Sequence, residues 1–120
     1  MRPMKVYIAG PYSTEDPIKN TARAIRAGNE LLNRGYCPFI PHLSHFWHLQ
    51  HPQEWATWIE YDIQWLDSCD VLLRLVGSSR GADLEVKHAY RNRIPVVIEG
   101  PGDLEALALL REELGARGIL

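Results

Sequence analysis

Short apolar runs alternate along this chain with longer segments in which apolar residues recur three or four positions apart. Residues 6–9 form the first run and stop at Gly10-Pro11, the pattern of a buried strand broken at a turn. Asp16-Pro17 supplies a cap followed by proline at the first helical position, which predicts a helix to about Arg34. Its inward face is expected to carry Ile18, Ala22, Ile25, Leu31 and Leu32, with Gly35 closing it. Residues 37–40 read as a second strand, ended by Pro41, and Pro52 opens a further helix through Trp55, Trp58, Ile59, Ile63, Trp65 and Leu66. Residues 70–76 make a third strand, 81 to about 92 a helix, 95–98 a fourth strand, and 103 to about 114 a last helix. Nearly continuous apolar strands that alternate with helices imply an α/β fold, a parallel sheet covered on both faces.

At 120 residues the chain has room for one core, so residues 1–120 read as a single domain. Apolar residues make up 46% and charged residues 23%, and the net charge of −2 conceals no basic tract, which argues against a nucleic-acid polymer as partner. No apolar run approaches the roughly 18 residues of a membrane span, and the N-terminus enters the first strand without a signal-peptide core. Cys37 and Cys69 form no metal-type pair and read as reduced, buried thiols. A soluble, cytoplasmic protein is expected.

In sheets of this kind ligands sit beyond the carboxyl ends of the strands. Three stretches follow strands here: residues 10–13, 41–51 and 77–85. Glu85 closes the third, where a helix begins. One reading is a first-turn glutamate stabilised by the helix dipole, worth about 0.3–1 kcal/mol. On the other, the same dipole keeps the carboxylate ionised at neutral pH and able to attack an electrophilic sugar carbon. Ser78 and Ser79, with the backbone N–H groups around Gly77 and Gly81, form a flexible anion-binding loop. It is not a P-loop, because the Lys-Ser/Thr ending is missing.

Two further stretches give Glu85 a context. "KVYIAGPYS" (5–13) puts Tyr7 on the first strand before a Gly-Pro turn, and "EYDIQWLDSCDVLL" (60–73) puts Asp62 on the helix leading into the third strand. Together with "SSRGADLEVKHA" (78–89), in this order, the chain resembles the nucleoside 2-deoxyribosyltransferases and their relatives, the 2'-deoxynucleoside 5'-phosphate N-hydrolases, over roughly residues 5–98. The resemblance implies a Rossmann-like, doubly wound parallel sheet in strand order 2-1-3-4. It implies that Glu85, in Gly81-Ala82-Asp83-Leu84-Glu85, is the nucleophile, that Tyr7 holds it, and that Asp62 contacts the base or assists its departure. Ser79, six residues before Glu85, stands where the hydrolases bind phosphate and the transferases place an aspartate for the sugar hydroxyl. Gly10, Ser13, Ser78 and Gly81 complete the substrate-binding residues on this reading. Asp83 departs from the pattern, adding negative charge where a small residue is usual. Small uncharacterised proteins of the same fold also resemble this sequence.

"PHLSHFWHLQHPQEWATWIEYD" (41–62) spaces His42, His45, His48 and His51 by three. Histidines three apart can share a helix face and a metal. The stretch has no HExxH and no cysteine, and Pro41 and Pro52 limit its helical length, so no metal is expected. Its aromatic residues read instead as a pocket wall. Trp47 and Trp58 would stack on a flat base at about 1–3 kcal/mol per base, and His42 or His45 would hydrogen-bond a ring nitrogen. Of Trp58 and Trp65, seven apart, at least one is expected in the helix core. The activity expected is cleavage or transfer at the N-glycosidic bond of a nucleoside or nucleoside 5'-monophosphate, through a glycosyl ester on Glu85 and with no cofactor. The competing reading is a nucleotide sensor of the same fold that binds without turnover. So many aromatics on a four-stranded sheet are expected to leave an apolar patch and to drive a homodimer or larger assembly.

Overall fold

Four parallel strands in the order β2-β1-β3-β4 frame the computed structural model, which describes all 120 residues, Met1–Leu120. The elements run β1 (Lys5–Ala9), α1 (Pro17–Asn33), β2 (Cys37–Phe39), a 3-10 turn (Pro41–Ser44), α2 (His45–Gln50), α3 (Trp55–Leu66), β3 (Val71–Arg74), α4 (Arg80–Arg91), β4 (Val96–Ile98) and α5 (Asp103–Ala116). Strand side chains alternate between the two faces. Val6, Ile8, Val71 and Leu73 pack with Ala24 and Leu31 of α1 and with Leu107 and Leu114 of α5. Tyr7, Ala9 and Leu72 point the other way, against Leu66 of α3 and Ala82 and Ala89 of α4. Helices therefore cover both faces and the sheet is doubly wound, in the expected strand order. No helix is long and apolar enough to cross a membrane.

The inward face of α1 agrees with the expected one at Leu31 and otherwise turns away from it. Ala24, Gly28 and Leu31 are buried, whereas Ile18, Ile25 and Leu32 lie exposed on a stripe displaced by about one residue's rotation. Close approach selects the smaller residues. A Cβ on Gly28 would lie 2.4 Å from Cδ1 of Ile40 and 2.9 Å from its Cγ1, so the end of the Ile40 side chain occupies the space that a side chain at position 28 would need.

Other expectations also shift. Proline needs no N–H partner in a first helical turn, so Pro41 starts the 3-10 turn that runs into α2, and residues 41–50 are helical almost throughout. Pro52 precedes α3 by three residues, and Glu54 is its cap residue. The buried residue of α3 is Leu66; Trp58 is half-buried, and Trp65 is exposed and stacked on Phe39 with centroids 5.4 Å apart. Neither tryptophan is core. β3 stops at Arg74, although the N–H of Leu75 still bonds the Ala9 carbonyl at 2.7 Å. Cys37 is exposed rather than buried, while Cys69 is partly buried and its thiol is pushed up to about 11, chiefly by burial.

The fit at Gly28 yields a first prediction. Gly28→Val should destabilise the protein by about 1–3 kcal/mol through overpacking, measured by urea unfolding, and adding Ile40→Ala should recover part of the loss. A Gly28→Val protein as stable as the native one would remove the close approach as the reason for the helix face.

Candidate active site

The chain leaves β1 for β2 through α1 on one face and reaches β3 through α3 on the other. Such a reversal opens a crevice at the carboxyl ends of the strands. Here it is a cavity of about 380 Å³, within the usual range for a small-molecule site. Its walls are the loops after β1, β2 and β3 and one side of α3.

These loops are tied to one another. Gly77 has a φ of 127°, which favours glycine, and a Cβ there would lie 2.8 Å from Cγ of Pro11. Thr14 donates from Oγ1 to the Ser78 carbonyl at 3.1 Å, and the Asn20 amide donates to the carbonyls of Tyr12 and Thr14 at 2.9 and 2.7 Å. The Arg74 guanidinium donates to the Leu75 and Gly77 carbonyls and pairs with Asp83 at 3.0 Å. The extra negative charge of Asp83 is thus offset by a cation, and the carboxylate itself faces solvent.

At the cavity floor the Tyr7 hydroxyl donates to Oε2 of Glu85. Tyr7 is fully buried and stacks on Phe39 with ring centroids 5.7 Å apart. Burial, followed by the charges of Glu85 and Asp62, pushes the phenol well above its usual range, so it stays a donor. Glu85 is the sixth residue of α4, in the second turn, and only 5% exposed. The helix-terminus effect fades within the first turn, so the expectation of a carboxylate kept ionised by the dipole fails. Burial dominates and raises Glu85 to about 8; Asp62 adds to the rise, while the Tyr7 hydrogen bond and the Arg74 charge oppose it. Burial likewise raises Asp62 to about 7, and its Oδ1 is buried without a partner.

Of the residues singled out from sequence, Gly10, Ser13, His42, Trp58, Asp62, Ser79, Gly81 and Glu85 line the cavity, with Tyr7 beneath it. Ser79 caps α4, its Oγ accepting from the Ala82 N–H at 3.1 Å, which leaves its own O–H free to donate. His42 donates from Nε2 to the Pro11 carbonyl at 2.9 Å, and burial lowers its pKa, so the ring is neutral.

Three others are not brought in. His45 sits behind the Tyr12 ring, bonded through Nδ1 to its hydroxyl. Ser78 lies outside the lining, its carbonyl tied to Thr14. Trp47 packs edge-on against Trp58 and Tyr61, at 5.0 and 5.6 Å, and lines an adjoining hollow instead. The unforeseen α2 is the reason: on a helix, Trp47 is rotated about 100° from His48, which does line the cavity. Sequence reasoning also missed Tyr12 and Arg80. The Arg80 guanidinium lies 4.6 Å over the Trp55 ring, a cation–π contact at the cavity wall. Its position between Ser79 and Gly81 was the available signal. No three His, Cys, Asp or Glu side chains converge as a metal site would require.

Residues 4–99 match the family model described as "Domain of unknown function (DUF7768)". The chain belongs to this family. No curated protein matches it. Among solved structures it is similar to a 2-deoxyribosyltransferase from the psychrotolerant bacterium Bacillus psychrosaccharolyticus, at TM-score 0.58 and 20% identity over 78% of this chain and 70% of that one. A 2-desoxiribosyltransferase from Leishmania mexicana gives 0.60 and 17% over 80% of this chain; the match spans 63% of that enzyme, less than two thirds. A conserved protein from Enterococcus faecalis V583 gives 0.58 and 19% over 92% and 76%. At these identities the likeness is one of fold: the DUF7768 chain has the fold of the 2-deoxyribosyltransferases.

The two carboxylates make stability depend on pH. Their ordinary values are 4.5 and 3.8, and the folded values are about 8 and about 7. Between these limits the folded state holds protons that the unfolded chain releases, so rising pH favours unfolding. The contribution is complete below about pH 4 and lost as pH rises through 7 to 8. The urea midpoint should therefore be lower at pH 8.5 than at pH 5.5, and Glu85→Gln should shrink that difference.

Proposed function

We propose that this protein cleaves or transfers at the N-glycosidic bond of a nucleoside or nucleoside 5'-monophosphate, without a cofactor. The observation that carries this reading is the buried Tyr7–Glu85 hydrogen bond at the floor of a cavity that also holds Asp62. The shared fold of two 2-deoxyribosyltransferases supports the same reaction class.

Glu85 attacks C1' from the face opposite the base. The C1'–N bond breaks through an oxocarbenium-like transition state, and a glycosyl ester forms on the carboxylate. Asp62 delivers its proton to the departing base. Water or a second base then attacks C1' and frees Glu85, with retention of configuration on transfer.

The reaction needs one proton on the carboxylate pair, held by Asp62, and the charge on Glu85. Tyr7 and Arg74 act on Glu85 and draw the charge towards it, whereas burial alone sets Asp62. Burial opposes that charge by raising both carboxyls. The positive charge that develops at C1' next to the carboxylate stabilises the ionised Glu85 in the transition state. The exposed Phe46, Trp47 and Trp65 support assembly into a dimer or larger.

A panel of nucleosides and their 5'-monophosphates, assayed for free base, tests the activity. Glu85→Gln should lower base release by about three orders of magnitude or more while substrate binding survives. Glu105→Gln, exposed on α5, should leave the rate unchanged. Release at the native rate from the Glu85→Gln protein would refute the mechanism, and saturable binding without release from the native protein would identify a sensor. kcat/KM should be bell-shaped in pH. Below the optimum both carboxyls are protonated and the nucleophile is lost; above it the acid is lost. Asp62→Asn should cost about 10²–10⁴-fold and abolish the alkaline limb.

A further inference from the structure

His48 lines the cavity from α2 and has no part in the reaction as described above. Its Nδ1 lies 2.8 Å from Nε1 of Trp58. An indole N–H can only donate, so Nδ1 accepts. The backbone N–H of Gln53 approaches the same atom at 3.3 Å, again as a donor. Two donors aimed at Nδ1 put the proton of the neutral ring on Nε2. That nitrogen has no protein partner, and it is not among the buried unpartnered atoms, which are Thr21 Oγ1, His42 Nδ1 and Asp62 Oδ1. The Nε2–H is accessible.

The neighbouring histidines differ. His42 gives its N–H to Pro11, and His45 is bonded to Tyr12. His48 is anchored by its acceptor edge and keeps its donor edge free. The anchor is well placed, because Trp58 and Asp62 stand four residues apart on one side of α3, so the acid and the fixed imidazole share the same wall.

We propose that His48 determines specificity for the departing group: its Nε2–H donates to a carbonyl oxygen or unprotonated ring nitrogen of a heteroaromatic base. This rests on the reading of the cavity as an N-glycosidic site. As the C1'–N bond breaks, its electron pair moves into the base. A hydrogen bond to an acceptor on that base strengthens as the negative charge grows, while Asp62 supplies the proton.

Two measurements on the whole protein test this without turnover. Nitrogen-15 NMR at pH 8 should find the His48 proton on Nε2, and Trp58→Phe, which keeps an aromatic face and removes the indole donor, should give a mixture of tautomers. A proton on Nδ1 in the native protein would overturn the proposal. Calorimetric titration with free adenine, hypoxanthine, cytosine and uracil gives the second readout. For the tightest-binding base, His48→Phe should weaken binding about tenfold, whereas His48→Gln, which retains an N–H donor, should stay within about threefold. Equal binding by the Phe variant and the native protein, a Gln variant as weak as Phe, or no binding of any base would each overturn it. If bases bind as expected but no nucleoside releases base, the assigned reaction fails and the His48 donor stands.

Discussion

Tyr7 and Glu85 meet almost entirely out of reach of solvent, and much of the architecture follows from that contact. Tyr7 is on β1, which has neighbours on both edges and helices on both faces, so its hydroxyl has no route to water. Glu85 must be brought to it by α4, seated on the same face through Ala82 and Ala89. A carboxylate in that position costs desolvation that one hydrogen bond does not cancel, and the raised pKa is the measure of the shortfall. Phe39 stacked on Tyr7 and Arg74 fixed to the loop carbonyls below α4 hold the two partners in register.

Strand positions were legible in the sequence because buried parallel strands read as apolar runs between turn residues, whereas their order came from what the resemblance implies. The order of the motifs around Tyr7, Asp62 and Glu85 also led to one cavity. What was hidden depended on distances between elements. The burying face of α1 follows from the space at Gly28, which hydrophobicity does not encode, and bulky Ile18, Ile25 and Leu32 outweigh it in the apolar pattern. The protonation of Glu85 depends on how deeply α4 seats, and the sequence supplied only its nearness to a helix start. Trp47 and His45 were misplaced for a simpler reason: two prolines suggested a loop where the first of them begins a helical turn.

The cavity joins two kinds of wall. One is made of backbone and hydroxyl groups from the tied loops after β1 and β3, with Ser79 and Arg80 at the start of α4. The other is aromatic and imidazole, from α2 and α3, and is rigid because its polar edges are paired with one another, as Trp58 is with His48. A ligand with a hydrogen-bonding portion and a flat portion matches both walls at once.

α1 carries two apolar stripes one residue apart, and only one meets the sheet. A helix rolled by that single step would bury Ile18, Ile25 and Leu32, gaining more aliphatic contact than Ala24 and Gly28 provide. It would also stand further from β1 and leave the end of Ile40 without its hole. Hydrophobicity alone therefore favours a competing roll of the first helix. The native basin is distinguished there by fit rather than by greasiness, and an absent side chain at position 28 is what makes the correct roll the deeper one.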